Sequence, residues 1–84
     1  MKKVLSFKKG RTDQTTDINL DGVWCGIIFA SGDIWKISIA VADLAMGFRW
    51  KRLAENFTSE PEARLWLKEH WKTINDNYVI YLLD

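Results

Sequence analysis

Eighty-four residues, 48% of them hydrophobic and 27% charged, describe one small globular domain with room for a single core. Twelve basic residues against eleven acidic ones leave a net charge of +1, which argues against a generic polyanion binder or a basic helix lying on a membrane surface. No apolar run approaches the roughly 18 residues of a membrane span, the start MKKVLSFKKG is too short in its apolar part for a signal peptide, and the lone Cys25 fits a reducing compartment; a cytoplasmic location is expected.

In chain order, Val4 to Phe7 reads as a short strand between lysines. Gly10 to Asp17 reads as a polar connection. Asp17-Ile18-Asn19-Leu20-Asp21-Gly22 matches the first half of a calcium loop, in which alternate oxygens converge on a hard cation. The second half fails, because the position that needs a bidentate glutamate is Ile28. A turn at Asp21-Gly22, with Ile18 and Leu20 facing inward, is expected instead, and no metal.

Val23 to Ala30 is rich in β-branched and aromatic residues and too short for a typical helix, so it reads as a strand. Simple alternation puts Trp24 beside Ile28, on the face opposite Val23, Cys25, Ile27 and Phe29. Turn chemistry at Ala30-Ser31-Gly32-Asp33 leads into Ile34 to Val41, whose Trp35, Ile37, Ile39 and Val41 share a face. Asp43 to Glu55 is expected to be a helix by propensity, with Asp43 as its cap and Asn56 as its left-handed stop. The competing reading is a third hairpin strand through Phe48-Arg49-Trp50-Lys51-Arg52.

Ser59-Glu60-Pro61-Glu62 is a capping box with proline in the first turn. Ala63, Trp66, Leu67, His70, Trp71 and Ile74 follow as one apolar stripe, with Lys68 and Lys72 toward the negative end of the helix dipole. Asn75-Asp76-Asn77 ends this helix. Tyr78 to Leu83 is a strand apolar on both sides, which must return to the sheet. The expected fold is α+β: a small antiparallel sheet of three to four strands packed against one or two helices, in one domain spanning 1–84.

Catalytic chemistry is not expected. One cysteine and one histidine exclude a zinc site of four nitrogen and sulfur ligands within one chain, and no phosphate-binding, dinucleotide or nucleophile-elbow motif occurs. A thiol–imidazole dyad of Cys25 and His70 is conceivable in principle, but a cysteine in an apolar strand is usually inert and a histidine on an apolar stripe usually structural. No catalytic residue and no cofactor is therefore assigned.

Five tryptophans stand out. Trp35, Trp66 and Trp71 belong to apolar faces and are expected in the core. Trp24 and Trp50 are harder to bury, and with Arg49 and Arg52 they form the expected partner-binding set, tryptophan as anchor and arginine as rim. If the Arg49 to Arg52 cluster lies on a strand, then IWKISI, FRWKRLAENF and SEPEARLWLKEHW resemble in pattern, without a shared motif, the three-stranded sheet plus helix of AP2-type and integrase arm-binding DNA domains. That resemblance implies a nucleic-acid-binding module. The residues themselves point first to a non-catalytic protein that binds another protein or itself, a small accessory or inhibitory protein of the kind mobile elements encode, with no membrane partner.

Overall fold

Glycine and aspartate place the reversals of this chain, and apolar alternation between them makes the strands. The computed structural model describes residues 4–83. Five strands, β1 (Leu5–Lys9), β2 (Thr15–Leu20), β3 (Val23–Ser31), β4 (Ile34–Asp43) and β5 (Gly47–Phe57), precede one helix, α1 (Glu60–Asn77). The strands form one antiparallel meander in chain order. The fold is α+β, with five strands in place of the three to four expected and one helix.

Two of the five lie outside the expected strands: β5, where a helix was expected, and β2, where a polar connection was expected. The polar residues of β2 lie on one side, while Thr16, Ile18 and Leu20 alternate into the core. The aspartate-rich segment is therefore a strand followed by a two-residue turn. Asp21 and Gly22 both take positive φ, 53° and 81°, as a type I′ hairpin requires. Asp21 also accepts the Val4 N–H at 2.7 Å, fastening the start of β1.

The expected helix over Asp43 to Glu55 is not formed; β4 runs to Asp43 and β5 begins at Gly47. Asp43 Oδ1 does accept two backbone N–H groups, from Ala45 and Met46, as a helix cap would. Here those bonds close a hairpin turn, and Gly47 at φ 83° turns the chain back. Eight paired positions along β4 and β5 outweigh the weak helix preference of alanine, leucine and methionine. Asn56 takes the expected left-handed conformation, φ 76°, but as an irregularity near the end of β5.

Helix α1 covers one face of the sheet. Ser59 Oγ accepts the Glu62 N–H, and Glu62 reaches back to the Thr58 N–H at 3.1 Å, one residue earlier than the usual reciprocal bond. Ala63, Leu67 and Ile74 are buried against Ile18, Leu20, Ile28, Ile37, Ile39, Val41 and Phe57. Trp35, Trp66 and Trp71 pack on the edge of this core, only partly buried. His70 is exposed, stacked on Trp66. The helix runs to Asn77 with no basic residue in its last turn, so Lys72 stands short of the dipole's negative end.

Beyond the pair Gly26–Ile39, β3 and β4 separate. The C-terminal segment fills that gap. Ala42 N–H donates to the Val79 carbonyl, Tyr81 N–H to that of Ala40, and Leu83 N–H to that of Trp24, at 2.7–2.9 Å. The expected return of Tyr78 to Leu83 to the sheet thus occurs through a single bridge, Val41–Ile80, rather than a full strand. Ile80 packs against the core, and its neighbour Tyr81 points to the opposite face.

Candidate functional site: the open face of the sheet

The helix covers one face of the sheet, and among the described residues no helix covers the other. What this second face displays depends on a β-bulge. Ile18 pairs with Gly26, yet the next residue, Asn19, pairs with Trp24, so Cys25 is the extra residue. Without the bulge Trp24 would share a face with Ile28. With it, Trp24 falls on the same side as Ile27 and Phe29, while Ile28 is fully buried under the helix. This reverses the expected pairing of Trp24 with Ile28.

The bulge is held tightly. Gly26 lies so close to β4 that an added methyl would sit 2.7 Å from the Ser38 carbonyl oxygen. Trp24 Nε1 donates to the Gly26 carbonyl at 2.6 Å, which fixes the indole plane. Cys25 is fully buried, and burial pushes its thiol pKa up to about 11, so it is a poor nucleophile. His70 Nδ1 lies 2.8 Å from the Trp66 carbonyl oxygen, on the helix, and is engaged there rather than with a thiol.

Strand β5 divides the basic cluster. Phe48, Trp50 and Arg52 pair with Ala42, Ala40 and Ser38 on the open face; Arg49 and Lys51 pair with Val41 and Ile39 on the other. Of the four expected partner-binding residues, Trp24, Trp50 and Arg52 share the open face. Arg49 does not join them: its guanidinium lies 3.5 Å from Asp43 on the opposite side.

On the open face the rings form a continuous series. The centroids of Trp24 and Trp50 are 5.8 Å apart, those of Trp50 and Phe48 6.0 Å, and Phe48 stacks on Tyr81 at 4.9 Å. Trp24 and Trp50 are 38% and 45% exposed. Arg52 lies over the Phe29 ring, donates to Ser38 Oγ at 3.0 Å and pairs with Glu55 at 3.0 Å. Near the β4–β5 turn Leu44 and Met46 are exposed, as is Val79, whose carbonyl accepts the Ala42 N–H.

Tyr81 was not singled out from the sequence, and Phe48 was named only within the basic cluster Phe48 to Arg52. The available signal was the two-sided C-terminal segment: if Ile80 enters the core, Tyr81 must lie on the far face. Among the described residues no group of three or more histidine, cysteine, aspartate or glutamate side chains could hold a metal ion. No helix of the described residues is long and apolar enough to cross a membrane. No protein-family model matches this chain, and neither does any curated protein or solved structure.

Proposed function

We propose that this chain is a non-catalytic binding protein that docks a protein partner on the open face of its sheet. The observation that carries the reading is the joined series Trp24, Trp50, Phe48 and Tyr81, left exposed on the face that the helix does not cover. Tryptophan, tyrosine and arginine are the residue types that dominate protein interfaces, and a contiguous apolar patch on a small protein commonly marks one. Trp24 and Trp50 act as anchors and Arg52 as the rim. Arg49 braces the β4–β5 turn through Asp43 and is withdrawn from the binding set.

A protein suits this face better than a nucleic acid does. Strand alternation splits Arg49 and Lys51 from Arg52, and Glu55 offsets the Arg52 charge. Among the described residues, the Arg49 to Arg52 cluster thus leaves no continuous cationic strip for a phosphate backbone to follow. The exposed Leu44, Met46 and Val79 offer nothing to phosphates. A reducing, cytoplasmic setting, consistent with the free Cys25, and an accessory or inhibitory role belong to the same proposal.

The test is capture from cell extract by immobilised wild type and by a Trp24→Ala/Trp50→Ala double variant, each with and without nuclease. A protein retained by wild type after nuclease and at high salt, and lost by the double variant, is the expected result. Retention that vanishes with nuclease or salt would assign the face to nucleic acid instead. Equal capture by both proteins would move the interface elsewhere.

A further inference from the structure

The open face carries a second feature, which shares Trp24 with the ring series that joins β3 to β5. On the β2 side of Trp24 lies a cleft of about 370 Å³, lined by Arg11, Thr15, Asp17, Trp24 and Ile27. Its volume is in the range of small-molecule sites, roughly 300–1,000 Å³. We propose that this cleft binds a small zwitterion with a flat apolar body, of the chemical class of an aromatic α-amino acid.

The lining supplies one group for each part of such a ligand. Trp24 is the wall for a planar ring, and its indole is held in place by the bond to Gly26. Ile27 is the apolar floor. Arg11 offers a fork of donors to a carboxylate, and Asp17 accepts from an ammonium. Thr15 lies at the rim, its hydroxyl accepting from the Thr12 N–H and donating to the Thr12 carbonyl, which steadies the loop that carries Arg11. Arg11 and Asp17 make no ion pair with each other or with any other described residue, so both remain available to a ligand.

Charge decides between ligand classes. The lining itself holds one cation and one anion, with Lys8 opposite Asp17 on β1, so a simple cation would meet an excess of positive charge, and a dianionic phosphate ester would still meet Asp17 as a repulsion. A molecule that carries both signs satisfies both groups at once. The two charges come from different places in the fold, Asp17 from β2 and Arg11 from the β1–β2 loop, and the short polar bonds of that loop tie them together. Gly10 N–H donates to the Thr15 carbonyl at 3.1 Å, and Thr15 N–H to that of Thr12 at 3.2 Å.

Titration of L-tryptophan and L-phenylalanine into 15N-labelled protein tests the assignment, reading the Trp24 indole resonance, which is identified by its loss in Trp24→Phe. A saturable shift is expected at millimolar ligand or below. Arg11→Ala should weaken it at least tenfold, and Asp17→Asn likewise, while Lys51→Ala, on the opposite face of the sheet, leaves it unchanged. Neither Arg11 nor Asp17 is part of the core, so circular dichroism should report both variants as folded. Tryptamine and N-acetyl-L-tryptophan, each lacking one charge, separate the two halves: tryptamine should ignore Arg11→Ala and N-acetyl-L-tryptophan should ignore Asp17→Asn. N-acetyl-L-tryptophan binding as tightly as the free amino acid would overturn the zwitterion in favour of a peptide C-terminus. No saturable shift at about 10 mM, or shifts indifferent to both charge variants, would overturn the site, while the docking of a protein on the ring series would stand untouched.

Discussion

At the scale of single residues, Gly26 and its neighbours decide what the protein shows to solvent. Gly26→Ala should cost about 1–3 kcal/mol, because the methyl meets the Ser38 carbonyl oxygen and the side chains of Ile39 and Ile18, a backbone and two core groups that have little room to move. Urea unfolding measures it. The same substitution should loosen Trp24, whose Nε1 bonds the Gly26 carbonyl, and shift its fluorescence. Cys25 gives a pH signature. Its folded pKa, about 11, is above the ordinary 9.0, so the thiol contributes fully at neutral pH and its contribution is lost as pH rises from about 9 toward 11. The loss should be on the order of 1–3 kcal/mol by pH 11 and absent from a Cys25→Ala variant. In the folded state below pH 9, a thiol reagent should react with Cys25 only as fast as the protein opens.

Individual elements are held by end groups as much as by faces. Ser59→Ala should cost about 0.5–2 kcal/mol through the lost N-cap bond to Glu62, while Leu67→Ala, deep under the sheet, should cost about 2–5 kcal/mol. Glu62 adds a pH dependence of opposite sign to that of Cys25. Hydrogen bonds from the Thr58 hydroxyl and N–H lower its pKa below the usual 4.5. Its contribution is therefore present above that value and lost as pH falls through the lowered one. Acid titration of wild type and Glu62→Gln should separate between neutral pH and the acid limb, where the two converge. For the β4–β5 hairpin, Asp43→Ala removes both turn bonds and the partner of Arg49, and should cost about 1 kcal/mol or more. The same Asp43 chemistry suits a helix cap and a hairpin turn equally, which is why sequence alone favoured the wrong element there.

On the scale of the whole molecule, stability and binding are assigned to different faces. The helix face holds the core, and substitutions such as Ile37→Ala should cost about 2–5 kcal/mol. Trp24 and Trp50 keep 38% and 45% of their surface in water, so Trp24→Ala and Trp50→Ala should each cost distinctly less while removing the partner interaction. Hydrogen exchange with and without the captured partner should protect β3, the Phe48 to Arg52 stretch of β5 and the C-terminal segment. Arg49→Ala should leave capture unchanged, because it faces the other way. The C-terminal segment links the two faces, with Ile80 at the core and Tyr81 stacked on Phe48.

The sequence by itself determined the features that are local. The cap at Ser59 and the stripe of Ala63, Leu67 and Ile74 define α1, because cap and period both lie within one segment. Gly22 and Gly32 place two hairpins, because positive φ is a property of the residue. The tryptophans and arginines could be singled out by type alone. Which way they face was decided only by the tertiary structure. Trp24 is turned outward by a bulge that exists only against β2, and Arg49 is separated from Arg52 by the register of β5 on β4. Strand β2 was legible in the alternation of Thr16, Ile18 and Leu20, but its aspartates carried the stronger loop signal. For Asp43 to Glu55 local propensity favoured a helix, and cross-strand pairing with β4 overruled it. A side chain's face in a sheet depends on a partner strand many residues away, and that long-range register is what a local pattern does not contain.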